Sequence, residues 1–177
     1  MQEFTLKNNT QIILRKPIAE DFEAFTELCN KIASETTFTM QYVGQPKHNK
    51  ENITKRWSDI NNSFIFAFTK ENNKLIALTG LVKDSPNHPF TKHIGDFGMF
   101  ILKDYWGFGL GNLLLQNILL KAKEQNISRV EGFVRANNYR GINLYLKNGF
   151  TLEGCLKNRA FIDGKFVDEY IIAKILD

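Results

Sequence analysis

The chain has 177 residues, of which 43% are hydrophobic and 24% are charged. This length and apolar content predict one domain, residues 1–177, with enough side chains to bury a hydrophobic core. The formal net charge of +4 includes no basic block, so it suits a small anionic ligand and gives no indication of nucleic acid binding.

The first part of the chain predicts one strand and two helices. Residues 12–14 are an apolar run typical of a short strand. Apolar side chains recur at helical spacing over residues 19–33 and, more weakly, over residues 50–61. The intervening residues 34–49 are polar and contain glycine and proline, so they predict a loop.

The central part of the chain predicts three strands. Residues 64–69 and 75–82 are apolar and are joined by the polar residues 71–74, which indicates a hairpin. Residues 93–102 form the third strand, and Gly95 and Gly98 within it indicate a β-bulge or a close approach of another backbone.

The last part of the chain predicts two helices that alternate with strands. A helix over residues 109–125, a strand over 129–134 and a helix over 139–148 are followed by closing strands at 150–159 and 166–176. The complete order is β-α-α-β-β-β-α-β-α-β-β. It predicts the α+β class, with a mixed and largely antiparallel central sheet and helices on both faces.

Three glycines, Gly107, Gly109 and Gly111, lie between the third central strand and the helix that follows it. A backbone without Cβ atoms lets several N–H groups approach a ligand, and the positive end of a helix dipole favours negative charge. The pattern therefore predicts a site for a phosphate-bearing molecule.

Two nucleotide-binding motifs fit this glycine loop poorly. A P-loop requires Gly-Lys-Ser/Thr, but Gly111 is followed by Asn112. A dinucleotide-binding fingerprint would follow the first strand of a βαβ chain and would have a glycine or alanine where Leu114 stands. A nucleotide-binding protein is therefore the weakest of our functional hypotheses.

A second motif, at residues 138–150, reads Asn-Tyr-Arg-Gly-Ile-Asn-Leu-Tyr-Leu-Lys-Asn-Gly-Phe. It resembles the Asn-x-x-Ala-x-x-Leu-Tyr-x-x-x-Gly-Phe signature of the GNAT superfamily of acyl-CoA-dependent N-acyltransferases, with Gly141 in place of the usual alanine. The glycine loop resembles the family's Arg/Gln-x-x-Gly-x-Gly/Ala motif, with Trp106 in place of Arg or Gln. Residues 159–170 look like the branch that contains ribosomal-protein and small-amine acetyltransferases.

The resemblance implies transfer of an acetyl group from acetyl-CoA, as co-substrate, to a primary amine by direct attack in a ternary complex. The acceptor would be a small-molecule amine or a protein amine. The spacing of the His and Cys residues indicates no metal site. The CoA pyrophosphate would be held by backbone N–H groups of the glycine loop, namely Gly107, Phe108, Gly109, Leu110, Gly111 and Asn112.

The resemblance also implies a place for the pantetheine arm of CoA. The arm would pair with the edge of the 93–102 strand, in a gap where this strand splays from the 129–134 strand. A bulge near Gly98 would help to open the gap. Asn138 would bind the arm through its amide, cap the following helix, or do both.

The implied catalytic groups are backbone amides and a phenol. Backbone N–H groups of Phe100, Ile101 and Leu102 would polarise the thioester carbonyl as an oxyanion hole. Tyr145, which matches the tyrosine of the family signature, would donate a proton to the departing CoA thiolate.

No general base stands out in the sequence. His93 and Asp96 are candidate catalytic bases because they lie on the strand that faces the thioester. Strand alternation places them on opposite faces unless a bulge intervenes, so we expect at most one to face the site. Glu35 lies in the loop expected to cover the acceptor and is a candidate substrate-binding residue. Asp168 and Glu169 could also draw a cationic amine.

A second hypothesis is a non-catalytic acyl-CoA-binding or sensor protein of the same fold. The lack of an obvious base and the presence of Trp106 at a motif position support it. Arg135, Arg140 and Lys147 are candidates for the adenosine phosphate of CoA, although ordinary surface charge explains them equally well.

The cellular location of the protein is predicted from its apolar runs, and its oligomeric state from its strand order. The longest apolar run, residues 64–68, is far below the ~20 residues that a membrane span requires, and residues 1–10 lack the apolar part of a signal peptide. We therefore expect a cytoplasmic protein without membrane contact. Edge strands near the C-terminus could pair between subunits and form a homodimer.

Overall fold

The helices and strands occur in the predicted order, with one additional strand at the N-terminus. The computed structural model describes residues 1–83 and 85–177. Its helices are α1 (Phe22–Glu35), α2 (Lys50–Ser58), α3 (Leu110–Glu124) and α4 (Tyr139–Lys147). Its strands are β1 (Gln2–Thr5), β2 (Gln11–Arg15), β3 (Asn62–Thr69), β4 (Leu75–Val82), β5 (Ile94–Ile101), β6 (Arg129–Arg135), β7 (Thr151–Ile162) and β8 (Lys165–Ile175). The additional strand, β1, has four mostly exposed residues and so gives no periodic apolar signal.

The strands form one eight-stranded sheet in the order β1-β2-β3-β4-β5-β6-β8-β7. β5 and β6 pair in parallel, with α3 in the connection between them, and the other neighbouring strands pair antiparallel. The predicted hairpin of β3 and β4 is present. The prediction of a mixed and largely antiparallel sheet is therefore confirmed.

The helices cover both faces of the sheet. On one face, the ring of Phe66 in β3 packs against Phe25 of α1 and Trp57 of α2, with ring centroids 6.3 and 5.2 Å away. On the other face, Ile101 of β5 points toward Gly111 at the start of α3, where a Cβ atom would lie 3.4 Å from Ile101 Cδ1. Within the described parts of the chain, no helix combines the length and the apolar character needed to cross a bilayer.

A gap opens between β5 and β6. The two strands pair only at Ile94–Arg129, Gly95–Val130 and Asp96–Glu131, and they diverge beyond these positions. At the start of the divergence, a Cβ atom on Gly132 would lie 2.9 Å from the ring of Phe97 and 3.0 Å from its carbonyl oxygen. The strands therefore separate at an aromatic residue that only a glycine can face so closely.

The bulge expected near Gly98 is absent. The register between β4 and β5 runs without a shift from Ala77–Ile101 to Val82–Asp96, and Gly98 lies opposite Gly80. Gly95 is explained by close packing, because a Cβ atom there would lie 2.9 Å from the Leu81 side chain. The opening of the sheet thus comes from the limited pairing of β5 with β6, and the bulge prediction is wrong.

Candidate active site

A cavity of about 950 Å³ occupies the gap between β5 and β6 and is lined from both faces of the sheet. On the face covered by α3 and α4, which we call the loop end, its lining includes Trp106, Gly107, Gly109, Gly111, Asn112 and Asn138. On the face covered by α1, which we call the α1 end, its lining includes Ile32, Thr36, Phe38, Thr39 and Met40. The cavity therefore connects two separate surfaces through the sheet.

The glycine loop has the backbone conformation that its sequence predicts. Gly107 and Gly109 have φ values of +86° and +94°, in the region that favours glycine, and Gly109 directly precedes α3. At Gly111, a Cβ atom would lie 3.0 Å from the Leu144 side chain, so glycine lets α4 pack against the first turn of α3. Of the six loop residues proposed from the sequence, Phe108 and Leu110 do not line the cavity, and Leu110 is buried in the core.

A cation lies beside the glycine loop although the motif has no arginine there. The indole Nε1 of Trp106 donates a 2.7 Å hydrogen bond to the carbonyl of Ile101. The Arg140 guanidinium lies over the Trp106 ring, 5.4 Å from its centroid, and its Nη1 is 3.7 Å from the position of a Cβ atom on Gly107. Arg140 of α4 thus brings a positive charge to the position where the loop exposes its amides.

The two strands expose alternate backbone groups to the gap. The Leu102 N–H donates to Ile76 in β4 at 3.0 Å, so Leu102 is not an available oxyanion donor. Hydrogen-bonded pairs alternate in an antiparallel ladder, so Phe100 also turns its amide toward β4, while Met99 and Ile101 turn theirs toward the gap. Phe100 and Ile101 line the cavity, and Leu102 does not.

The same alternation applies to β6 on the other side of the gap. The Ala136 N–H donates to the Asp168 carbonyl at 2.9 Å, which fixes the bonded positions of the β6–β8 ladder. The backbone groups of Phe133 and Arg135 therefore face β5. The Ile101 carbonyl accepts from Trp106 and the Arg135 carbonyl accepts from the Asn138 N–H. The remaining groups offer an extended ligand with amide groups backbone donors and acceptors on both sides.

Tyr145 lies on α4 and lines the cavity. Its ring packs against Phe97 and Phe150, with centroid distances of 5.3 and 5.8 Å. Burial raises the pKa of the Tyr145 phenol to about 12. The phenol therefore keeps its proton at neutral pH and can act as a hydrogen-bond donor inside the cavity.

Asn138 also lines the cavity and caps α4. Its Oδ1 accepts a 3.0 Å hydrogen bond from the Gly141 N–H, as the sequence predicted for an N-cap. A Cβ atom at Gly141 would lie 2.7 Å from Asn138 Nδ2. Glycine in place of the motif's alanine thus lets the capping side chain approach the helix closely.

Three charged side chains meet at the α1 end of the cavity. Arg135 and Glu169 face each other across β6 and β8, and Arg135 Nη1 lies 3.2 Å from Glu169 Oε1. Arg159 Nε lies 3.7 Å from the other Glu169 oxygen. We call these residues the Arg135–Glu169–Arg159 cluster. Sequence analysis considered Arg135 and Glu169 singly and missed Arg159, because only the pairing register brings the three together.

Three residues proposed from the sequence lie outside the cavity lining. His93 is exposed before β5, and Asp96 lies where β5 is still paired with β6, so both precede the gap. Glu35 is the last residue of α1 and not part of a loop. Its carboxylate accepts from the Lys103 N–H at 2.8 Å and lies 3.4 Å from Lys31 Nζ, so it fastens α1 to the end of β5.

The sequence matches a model of the GNAT acetyltransferase family over residues 27–150, which is more than half of the chain. The chain belongs to the GNAT family. This confirms the resemblance found in its two motifs. The GNAT fold is also confirmed: the acetyltransferase of the GNAT family from Streptococcus pneumoniae superposes with a TM-score of 0.85 at 29% identity, covering 93% of this chain and 99% of that one.

Two curated GNAT relatives are similar over part of their length. The L-amino acid N-acetyltransferase AaaT of Escherichia coli (strain K12) is 28% identical over 96 residues, which cover 54% of this chain and 59% of that protein. The ribosomal-protein-serine acetyltransferase of the same strain is 28% identical over 101 residues, which cover 56% of each. The chain thus spans little more than half the length of these relatives.

A further solved GNAT structure shares the fold and contains the cofactor that the motifs imply. It is a phosphinothricin acetyltransferase from Sinorhizobium meliloti in complex with acetyl-CoA, with a TM-score of 0.79 at 18% identity. The superposition covers 93% of this chain and 88% of that one.

Proposed function

We propose that this GNAT chain transfers an acetyl group from acetyl-CoA to a primary amine by direct attack in a ternary complex. The observation that carries the proposal is the cavity that crosses the sheet at the β5–β6 gap, with the glycine loop at one end and a second pocket at the other. The family to which the chain belongs, and a neighbour solved with acetyl-CoA, support this choice of co-substrate.

The loop end would hold the pyrophosphate of CoA. The backbone N–H groups of Gly109, Gly111 and Asn112 lie at the N-terminus of α3, where the helix dipole favours an anion. Arg140 would add a charge-assisted hydrogen bond from its position over Trp106. The motif's missing arginine is thus replaced in space by an arginine of the next helix.

The gap would hold the pantetheine arm in an extended conformation. Its amides would pair with the N–H and carbonyl of Met99 and the N–H of Ile101 on one side, and with the backbone groups of Phe133 on the other, as an added strand does. This pairing carries the thioester into the middle of the sheet. There the Met99 or Ile101 N–H would polarise the thioester carbonyl.

Tyr145 would protonate the leaving group. As the C–S bond breaks, negative charge develops on sulfur. The same burial that raises the pKa of the phenol also makes a desolvated thiolate a stronger base, so the thiolate can take the phenol proton. The Tyr145 phenol is protonated at that moment because burial raises its pKa to about 12. We assign His93, Asp96 and Glu35 no part in this chemistry, since none of them lines the cavity.

Replacing Tyr145 tests the catalytic assignment. Tyr145→Phe should lower kcat about 10²-fold or more, because positioned proton donors contribute at least that much, and should leave acetyl-CoA binding unchanged. Release of the CoA thiol in the presence of an amine panel gives the rate, and calorimetry gives the affinity. Tyr139→Phe, an exposed tyrosine on the same helix, is the matched control and should behave as wild type. Equal rates for the two variants would remove Tyr145 from the mechanism.

The acyl-CoA sensor remains the second candidate because the cavity offers few bases. Among the lining residues that the structure describes, Glu169 is the only carboxylate, and two arginines already contact it. Acetyl-CoA binding in the calorimeter without turnover on any amine would favour the sensor over the transferase.

A further inference from the structure

The Arg135–Glu169–Arg159 cluster indicates which amine the protein accepts. We propose that the acceptor is a free α-amino acid, whose carboxylate binds Arg135 and whose amino group is held by Glu169. This inference rests on the proposed acetyl transfer and selects among its acceptors. The relatives named for L-amino acid and for ribosomal-protein acetylation leave both acceptor classes open.

Arg135 is a buried cation with unfilled hydrogen-bonding capacity. Its side chain is only 8% exposed, and its Nε is buried without a hydrogen-bond partner among the described residues. Nη1 faces Glu169, whereas Nη2 has only the sulfur of Met40 at 3.7 Å, a weak acceptor. Leaving such donors unsatisfied costs free energy that an incoming acceptor group recovers.

The unfilled donors of Arg135 match a carboxylate. Nε and Nη2 form one side of the planar guanidinium fork, and two parallel N–H groups of this kind bind a carboxylate in bidentate geometry. Met40, which lies against Nη2, is 78% exposed and belongs to the irregular residues 36–40 between α1 and α2. Movement of the Met40 side chain would free Nη2, the outer nitrogen of this fork, for a carboxylate in the cavity.

Arg159 gives the cluster a net positive charge. β7 has extra residues between Leu156 and Ala160, because these positions pair with Glu169 and Val167, which are only two residues apart in β8. This irregularity places Arg159 beside Glu169. Two guanidinium groups then face one carboxylate. One positive charge of the cluster is left without a negative partner inside the cluster, so the cluster attracts an anionic group.

Glu169 supplies the opposite charge that the amino group needs. The amino and carboxyl groups of an α-amino acid are attached to one carbon, so a site for both must place a carboxylate beside a cation, as Glu169 and Arg135 do. During transfer, the C–N bond forms as the C–S bond breaks. Before the attack, the bound ammonium group loses one proton through Glu169 to water, which frees the nitrogen lone pair. After the attack, the second amine proton leaves by the same route, the thiolate takes the Tyr145 proton, and water restores the proton of Tyr145.

The charges of the cluster disfavour other acceptors. A polyamine or an aminoglycoside would bring further positive charge to a cluster that is already positive. The N-terminal amine of a protein lacks the neighbouring carboxylate, so Arg135 would stay unfilled in its complex. Ile32, Phe38 and Phe133 line the same end and offer an apolar surface for the amino acid side chain.

The test compares acceptors that differ only in the carboxylate. CoA release is measured with the twenty amino acids, and the best of them is compared with its amide. The free acid should have a kcat/KM about 10- to 100-fold above the amide, the range expected for hydrogen bonds to a charged group. The α-amino group of the amide loses its proton more easily than that of the free acid. Without a carboxylate site, the amide would therefore be the faster acceptor.

Variants connect this preference to the cluster. Arg135→Lys keeps the positive charge and removes the guanidinium fork. The kcat/KM for the free acid divided by that for the amide should therefore fall toward one, while the KM for acetyl-CoA stays unchanged. Arg159→Gln, at a side chain that is mostly exposed, should fold normally and should raise the KM for the free acid. Lys157 is another exposed cation of β7, so Lys157→Gln is the matched control. It should change neither the acid-to-amide ratio of kcat/KM nor the KM for the free acid.

The outcomes separate this inference from the proposed function. If amides, amines or peptides react as well as free amino acids and the two arginine variants keep wild-type ratios, the acceptor assignment is wrong and the transferase stands. If no amine of any kind accelerates CoA release, the proposed function itself fails. A thermal shift of the CoA-bound protein by the best free acid, but not by its amide, would support the assignment independently of turnover.

Discussion

Gly132 shows how a single residue shapes the cavity. It faces Phe97 where β5 and β6 separate, and it leaves no room for a side chain. Neither residue belongs to the motifs that indicated the family. Gly132 was not singled out from the sequence, because nothing in a strand pattern tells which ring a glycine will face.

Adding one methyl group at this position should disturb both stability and binding. Gly132→Ala would place a Cβ atom 2.9 Å from the Phe97 ring, and we expect a loss of about 1–3 kcal/mol in the free energy of unfolding, typical of overpacking. Acetyl-CoA affinity should fall as well, because the strands that we propose hold the pantetheine arm would shift. Urea unfolding and calorimetry measure the two effects.

A glycine elsewhere in the sheet provides the control for this change. At Gly154 in β7, the nearest atom to an added Cβ is 3.4 Å away, an ordinary contact. Gly154→Ala should therefore leave acetyl-CoA affinity at the wild-type value. Unchanged affinity in Gly132→Ala would show that the close approach at Phe97 does not set the width of the gap.

The connection between β2 and α1 depends on one ion pair. Both oxygens of Asp21 accept 2.6 Å hydrogen bonds from Arg15, and Oδ2 also accepts from the Ile18 N–H at 2.8 Å. Burial alone would raise the pKa of Asp21, but the bonds from Arg15 and the Ile18 N–H outweigh it and lower the pKa. The pair therefore stabilises the fold in the ionised state.

This ion pair predicts a pH dependence of stability. A lowered pKa contributes stability above the unfolded pKa of about 3.9, and the contribution is lost as the pH falls below it. Asp21→Asn should cost about 1–3 kcal/mol at pH 7, and the cost should shrink toward pH 3. Glu20→Gln, at the exposed neighbouring acid, is the control and should change stability by less than about 0.5 kcal/mol. Equal stability of Asp21→Asn and wild type at pH 7 would contradict this account.

Elements with strong periodicity could be predicted from the sequence, and their pairing could not. The apolar spacing located all four helices and seven of the eight strands, and glycines marked the loop before α3. His93 and Asp96 were expected at the site because the sequence predicted both in the 93–102 strand, but His93 precedes β5, and the sequence does not tell how far β6 pairs along that strand. Glu35 was expected in a loop because the last turn of α1 is polar.

At the scale of the whole molecule, the proposed function depends on a sheet that divides between β5 and β6. The motifs implied the gap only through their resemblance to a family, since neither periodicity nor composition indicates where two parallel strands separate. The second surface of the cavity, at the α1 end, combines residues of α1 and of the segment that follows it with residues of β6, β7 and β8, which lie far along the chain from α1. Contacts between distant parts of the chain would therefore form the proposed acceptor side, and local motifs the proposed cofactor side.

The predicted homodimer concerns the edge of this sheet. β7 is an outer strand of twelve residues, and Phe161 and Phe166 are exposed near the turn that joins it to β8, with ring centroids 5.0 Å apart. Pairing of β7 edges between two copies would satisfy its open backbone groups. The homodimer stays a prediction, as does the cytoplasmic location.

A crystal structure of the protein with CoA tests the central claim most directly. We expect the pyrophosphate at the backbone amides of Gly109, Gly111 and Asn112, the pantetheine arm between β5 and β6, and the sulfur within about 3.5 Å of the Tyr145 hydroxyl. CoA bound on another surface, or a gap closed by further pairing of β5 with β6, would contradict it.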